Sequence, residues 1–105
     1  NYTVNTYSTN IIGTSNLLDA VRMFDTKSTI HVCSSSEVYG YVEPSNVPID
    51  EDCSLNPVSP YGISKLPEDM IARMYFKAYG INTIISRMFT HGGPRRGDVF
   101  VDSAF

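Results

Sequence analysis

The chain has 105 residues, of which 42% are apolar and 18% charged, and its formal net charge is −3. The length allows one domain or part of one, and the composition is typical of a globular protein rather than a disordered segment. The mild acidity disfavours nucleic acid and anionic membranes as partners, and no apolar run is long enough to span a bilayer. We expect a soluble, cytoplasmic protein.

The first half of the chain predicts a helix followed by a strand. Residues 10–24 carry apolar side chains at helical spacing, and the helix could begin as early as Thr3. Residues 29–33 are β-branched and apolar, which indicates a short buried strand in which Cys33 is a small buried hydrophobe. The polar run 34–37 follows at the carboxyl end of this strand.

The second half begins with a loop and continues with a helix. Residues 41–59 combine prolines with acidic residues and predict a long surface loop. Ser59 followed by Pro60 indicates a helix start that continues to residue 79. Pro67 lies inside this helix, where we expect it to remove one backbone hydrogen bond and to favour a kink.

The order of elements predicts an α/β fold. A second strand is predicted over 82–88, and two strands joined by a helix are expected to be parallel with a right-handed crossover. Binding sites of such sheets lie at the carboxyl ends of the strands. The run 34–37 occupies one such end, and Thr90 and His91 occupy the other.

Tyr61 and Lys65 carry the first sign of chemistry. Positions four residues apart share one helix face, and a cation beside a phenol favours the phenolate, which can take a proton from a sugar hydroxyl. This spacing is common by chance. Its combination with Ser35 and Glu37 at a strand end, one long loop upstream, is far more specific.

Taken together, these motifs resemble the extended short-chain dehydrogenase/reductases, the epimerase/dehydratase family. The resemblance rests on Ser35, on Val38-Tyr39-Gly40, on Ser-Pro-Tyr-Gly-Ile-Ser-Lys over 59–65 and on the helix segment 10–20. It implies that residues 1–105 are part of a Rossmann-like, doubly wound parallel sheet that binds NAD or NADP. The glycine-rich phosphate turn of the amino-terminal βαβ unit and the carboxyl-terminal substrate region do not occur in this sequence, so we expect an incomplete, inactive domain as it stands.

Within that family, Glu37 resembles the catalytic glutamate of the sugar-nucleotide 4,6-dehydratases. Ser36 before it, and the segment 89–97, resemble the GDP-mannose 4,6-dehydratase branch. Thr90 departs from that branch, which has asparagine at this substrate-contacting position. The resemblance therefore implies a 4,6-dehydratase and favours GDP-mannose as substrate.

The resemblance also implies residue roles. The catalytic residues would be Ser35, Tyr61 and Lys65 for proton removal at the C4 hydroxyl, with transient hydride transfer to the nicotinamide, and Glu37 as the base at C5. The remaining roles are cofactor binding by Tyr61, Lys65 and His91, and substrate binding by Ser35, Ser36, Glu37, Thr90, Arg95 and Arg96. For Ser36 a turn-capping role, and for the two arginines a solvated loop pair, are nearly equal alternatives. No metal site is expected, because the two histidines are far apart.

Two other functions remain open from the sequence. One is an epimerase, decarboxylase or reductase of the same family, and the other is a non-catalytic binding protein that retains the fold. The resemblance further implies a homodimer or homotetramer formed through the helices around 3–24 and 59–79.

Overall fold

The computed structural model describes residues 2–92. It contains helices α1 (Tyr2–Tyr7), α2 (Gly13–Phe24) and α3 (Pro60–Tyr79), strands β1 (Ile30–Cys33) and β2 (Thr83–Ser86), a π-helical segment (Ser8–Ile12), and two 3₁₀ turns (Ser36–Tyr39 and Pro44–Asn46). No helix in this part of the chain has the length and apolarity needed to cross a membrane.

The first helical region is longer than its apolar pattern alone would require. α1, the π-helical segment and α2 follow one another directly, and the junction residues Tyr7, Ile12 and Gly13 all have right-handed helical dihedral angles. The early start near Thr3 is therefore confirmed. The π-helical segment was not predicted, since nothing in the residue pattern marks the wider turn.

Helix α3 begins and ends as the sequence predicts. The Ser59 hydroxyl accepts a hydrogen bond from the Gly62 amide at 2.9 Å, and Pro60 occupies the first turn, where a missing amide hydrogen costs nothing. Gly80 ends the helix in the left-handed conformation, with φ of 70°. Pro67 lies within the helix without ending it.

The two strands form a parallel pair, as predicted, in the register Ile30↔Thr83 to Cys33↔Ser86. Helix α3 connects them along the chain and packs on both strands. This α/β unit is the expected Rossmann-like element, and the core on its helical side consists of Leu18, Val32, Ala72, Tyr75 and Ile81.

The prediction that Cys33 is buried was wrong. Side chains of a strand alternate between the two faces of the sheet. Ile30 and Val32 face the helices, whereas His31 and Cys33 lie on the opposite face and are exposed. Among residues 2–92 no element covers that second face, so only one side of the strand is buried.

Candidate active site

The candidate site lies beyond the carboxyl end of β1. Backbone pairing continues past the strand ends, because the Ser34 amide donates to the Ser86 carbonyl at 2.8 Å and the Ser36 amide to the Met88 carbonyl at 3.0 Å. The predicted run 34–37 and the segment after β2 therefore lie side by side at one edge of the sheet.

A short 3₁₀ turn presents Glu37 at this edge. The Ser35 hydroxyl accepts a hydrogen bond from the Glu37 amide at 3.1 Å and so caps the turn. Val38 and Tyr39 are buried beneath it, whereas Glu37 is exposed. Ser35 is itself buried and keeps its own hydroxyl hydrogen for another partner.

Glu37 lies against the first turn of α3. Its Oε2 atom accepts a hydrogen bond from the Ser59 hydroxyl at 2.8 Å. The backbones are equally close, since a Cβ atom built on Gly62 would lie 2.9 Å from the Glu37 carbonyl oxygen. The absence of a side chain at Gly62 thus lets the helix approach the turn that carries Glu37.

Tyr61 and Lys65 share the same face of α3. The Lys65 ammonium lies 5.6 Å from the centre of the Tyr61 ring and donates to the Cys33 carbonyl at 3.0 Å, which ties the helix to the end of β1. Tyr61 is 43% exposed, and within residues 2–92 its hydroxyl has no hydrogen-bond partner. The phenol is therefore accessible to a ligand, and a cation lies beside it.

The first helical region (residues 2–24) forms hydrogen bonds to α3 next to Tyr61 and Lys65. Asn10, in the π-helical segment, donates to the Ser64 hydroxyl at 2.9 Å, and Ser64 donates to the Tyr61 carbonyl at 2.7 Å. One turn further on, Thr14 donates to Glu68 Oε1 at 2.7 Å. The other carboxylate oxygen of Glu68 lies 3.0 Å from the Lys65 nitrogen, an ion pair whose geometry is not that of a hydrogen bond.

The other predicted site residues within residues 2–92 are Ser36, Thr90 and His91, and they are exposed or partly exposed. Thr90 and His91 are exposed beyond β2, and the His91 ring contacts the Phe89 carbonyl through Nδ1 at 2.8 Å. Ser36 opens the 3₁₀ turn and is partly exposed. The predicted substrate ligands Arg95 and Arg96 lie outside the described residues. Among residues 2–92 no three histidine, cysteine or acidic side chains form a potential metal site.

A second polar cluster lies beside the site and is centred on Arg87, which the sequence offered as a strand-end residue able to form a buried pair. Arg87 donates to Asp69 through two nitrogens at 2.8 and 3.3 Å, to the Tyr39 hydroxyl at 3.2 Å and to the Glu51 carbonyl at 3.1 Å. The Asp69 carboxylate raises the pKa of the Arg87 guanidinium, so this cation stays charged despite its burial. Its bonds tie β2, α3 and the long loop together. The sequence did not identify the partners of Arg87.

Comparison with known proteins identifies the family. The family model described as GDP-mannose 4,6 dehydratase matches residues 1–105. The chain belongs to this family, within the extended short-chain dehydrogenase/reductases. It is 39% identical over 92 residues to the GDP-mannose 4,6-dehydratase of Vibrio cholerae, covering 86% of this chain and 24% of that protein.

Solved structures agree with the fold. RMD of Pseudomonas aeruginosa, solved with NADPH, is 34% identical with a TM-score of 0.84 and matches 90% of this chain and 32% of its own. The dTDP-glucose 4,6-dehydratase of Bacillus anthracis, solved with NAD, is 34% identical with a TM-score of 0.84 and matches 93% and 31%. The chain thus spans about a third or less of these relatives, which include enzymes acting on nucleotide sugars.

Proposed function

We propose that the full-length protein is a nucleotide-sugar 4,6-dehydratase that uses NAD or NADP, with GDP-mannose as the favoured substrate. The observation that carries the proposal is the contact of 2.8 Å between Glu37 and Ser59, two residues before Tyr61. This contact supports a site in which the Glu37 carboxylate and the Tyr61 phenol, both at the start of α3, act on the same sugar ring. Inverting C4 alone needs no base at C5, whereas dehydration does.

In the proposed first step Tyr61 accepts the proton of the C4 hydroxyl. The Lys65 ammonium lies 5.6 Å from the centre of the Tyr61 ring, so a positive charge is close by during the proton transfer. Ser35 can donate to the same sugar oxygen, because the bond from the Glu37 amide leaves its hydroxyl hydrogen free. As the C4 oxygen gives up its proton to Tyr61, C4 would give up a hydride to a bound nicotinamide, and the carbon becomes a ketone.

In the second step Glu37 removes the C5 proton. The neighbouring ketone stabilises the carbanion, and the C6 hydroxyl departs as water, so the sugar loses one water molecule overall. Glu37 is exposed at the site and its Oε1 atom has no partner within residues 2–92, which fits a general base. Ser36 could relay the proton to the departing hydroxyl.

The residues present fit a nicotinamide cofactor. A nicotinamide held here would supply the hydride chemistry, as acceptor from C4 and donor to C6. Lys65 has three hydrogens, of which one binds the Cys33 carbonyl, and its ion pair with Glu68 is not a hydrogen bond, so a hydrogen remains for a ribose hydroxyl. Tyr61 and His91 are the further proposed cofactor ligands. The relatives solved with NADPH and with NAD support this cofactor class.

The preference for GDP-mannose rests on similarity. The matching family model and the Vibrio cholerae relative carry this name, and Ser36 and the segment 89–97 resemble the same branch. Thr90, Arg95 and Arg96 are the proposed substrate contacts, the arginines through their fit to diphosphate oxygens. Because this chain has Thr90 where that branch has asparagine, dTDP- and UDP-sugars remain alternative substrates.

The test is incubation of the full-length protein with GDP-mannose, dTDP-glucose and UDP-glucose, followed by mass spectrometry. We expect a 4-keto-6-deoxy product from GDP-mannose, lighter by one water. A product of unchanged mass would instead favour the second candidate, an epimerase, because the Ser35, Tyr61 and Lys65 set serves that reaction equally. Dehydration that survives Glu37→Gln would remove Glu37 from the proposal.

We also propose a homodimer or homotetramer formed through the helices around 3–24 and 59–79. Both expose large apolar side chains that an isolated protomer leaves in water. On α3 these are Met70, Met74, Phe76 and Tyr79, each at least 45% exposed. Sedimentation of the full-length protein should show at least a dimer at micromolar concentration, and a monomer would contradict the proposal.

A further inference from the structure

The Ser59 hydroxyl makes two hydrogen bonds at once. It accepts from the Gly62 amide at 2.9 Å, which is the ordinary cap of a helix start, and it donates to Glu37 Oε2 at 2.8 Å. A hydroxyl has one hydrogen and two lone pairs, so the two bonds do not compete. Capping uses only a lone pair, and the bond to Glu37 is therefore additional to it.

The neighbouring backbone and loop hold Ser59 in place, whereas they do not hold the side chain of Glu37. A Cβ atom built on Gly62 would lie 2.9 Å from the Glu37 carbonyl oxygen and 3.2 Å from both Pro57 Cβ and Ser59 Oγ, so backbone and loop are already in contact there. The Glu37 side chain is exposed, and apart from Ser59 it has no side-chain partner among residues 2–92. The Ser59 bond is thus the contact that restricts its rotamers.

We infer that Ser59 is a positioning residue for Glu37, an inference that rests on the proposed dehydratase function. By holding Oε2, Ser59 directs the other oxygen, Oε1, towards the site. The serine before Pro60 therefore serves the elimination step as well as the start of α3.

Two substitutions in the full-length protein separate positioning from capping. Glycine is nearly as good as serine at a helix start but has no hydroxyl, whereas threonine keeps both the cap and the donor. We expect Ser59→Gly to slow dehydration of GDP-mannose by about 10- to 100-fold, as for loss of one hydrogen bond to a charged group, and Ser59→Thr to stay near the wild-type rate.

The readout must separate the two chemical steps. Oxidation at C4 depends on Tyr61 and elimination on Glu37, so a misplaced Glu37 should leave the enzyme in its reduced-cofactor form during turnover, visible by near-ultraviolet absorbance. A damaged helix start would slow both steps and lower the melting temperature without that accumulation, which would overturn the inference. A wild-type rate for Ser59→Gly would overturn it as well.

A second pair covers the case in which glycine prevents folding. Asparagine and aspartate have the same size and both cap helices well, but only asparagine carries a donor for Glu37. We expect elimination to be slower in Ser59→Asp than in Ser59→Asn, and equal rates would contradict the role. If the wild-type protein dehydrates none of GDP-mannose, dTDP-glucose and UDP-glucose, the proposed function itself fails and the positioning role with it.

Discussion

The first turn of α3 and the middle of the same helix each carry a polar cluster, and the two differ in unused hydrogen-bonding capacity. In the first turn Tyr61 is 43% exposed and its hydroxyl has no partner within residues 2–92. In the middle, the side chain of Asp69 is 0% exposed and binds Arg87, whose side chain is 6% exposed and also binds Tyr39 and Glu51. The cluster around Tyr61 is therefore accessible to a ligand, whereas the charged groups of Asp69 and Arg87 are already paired with each other.

This contrast shows how a charged group can be assigned to chemistry or to structure. A buried ion pair with all its bonds made holds elements together, because removing one partner leaves an uncompensated charge. A cluster with free donors and acceptors at a strand end can exchange protons with a substrate. Each prediction below tests one side of this comparison.

Tyr61→Phe should have the largest effect and should change activity alone. Loss of a general base lowers the rate by about 10²- to 10⁴-fold. The free energy of unfolding should stay within about 0.5 kcal/mol of wild type, because the hydroxyl makes no bond within residues 2–92. Turnover of GDP-mannose and chemical denaturation measure the two quantities. Tyr41→Phe, on a 72% exposed loop residue, is the control.

Arg87→Met should have the opposite profile and should lower stability. Removing one partner of a buried pair costs about 3–5 kcal/mol. Arg73→Met is the matched control, since Arg73 contacts the same Asp69 carboxylate at 3.0 Å with a side chain that is 52% exposed. Its loss leaves Asp69 paired with Arg87 and should cost roughly 0–1 kcal/mol, as for an exposed charge. Equal losses in the two variants, measured by urea unfolding of the full-length protein, would contradict the distinction between the paired and the accessible cluster.

Gly40→Ala tests the close contact between Gly40 and the loop 41–59, which Arg87 also binds through the Glu51 carbonyl. Gly40 has φ of 63°, and a Cβ atom there would lie 1.9 Å from the Asn56 carbonyl oxygen. The positive φ alone should cost about 1–3 kcal/mol of unfolding free energy, and the overlap with the Asn56 backbone adds to this cost. Gly13→Ala is the control, because Gly13 is helical with open space around it and should gain about 0.5–1 kcal/mol. The prediction is contradicted if Gly13→Ala lowers the unfolding free energy and Gly40→Ala leaves it unchanged.

Asp19, whose side chain is half-exposed on α2, should give the smallest effect. Hydrogen bonds from Arg22 and then Tyr75 lower the pKa of Asp19. A carboxyl whose pKa is lowered on folding stabilises above its unfolded pKa, and that contribution is lost as the pH falls through the folded pKa. Asp19→Asn should therefore lower the melting temperature slightly at neutral pH, and the difference from wild type should vanish in acid. A difference that grows in acid would contradict the sign.

The sequence predicted those features of the fold that depend on local chemistry. Ser59 and Pro60 placed the start of α3, and β-branched apolar runs placed both strands to within a few residues. It missed the 3₁₀ turn that carries Glu37, because that turn is held by the Ser35 side chain and by contact with Gly62. It also predicted a buried Cys33, because a run of apolar residues does not reveal which face of a strand is covered.

The candidate site divides in the same way. Tyr61 and Lys65 could be paired from helical spacing alone. The bond between Ser59 and Glu37 joins residues 22 positions apart across a loop, so no residue pattern predicts it. Nor could sequence show that Arg87 closes the neighbouring cluster, since Asp69, Tyr39 and Glu51 come from three separate parts of the chain.

Dehydration of GDP-mannose in deuterium oxide tests the central claim most directly. If Glu37 removes the C5 proton and the carbon is later reprotonated from solvent, the 4-keto-6-deoxy product of the full-length protein should carry deuterium at C5. Nuclear magnetic resonance of the product reads that position. A sugar altered only at C4, with its C6 hydroxyl intact and no deuterium at C5, would contradict the account.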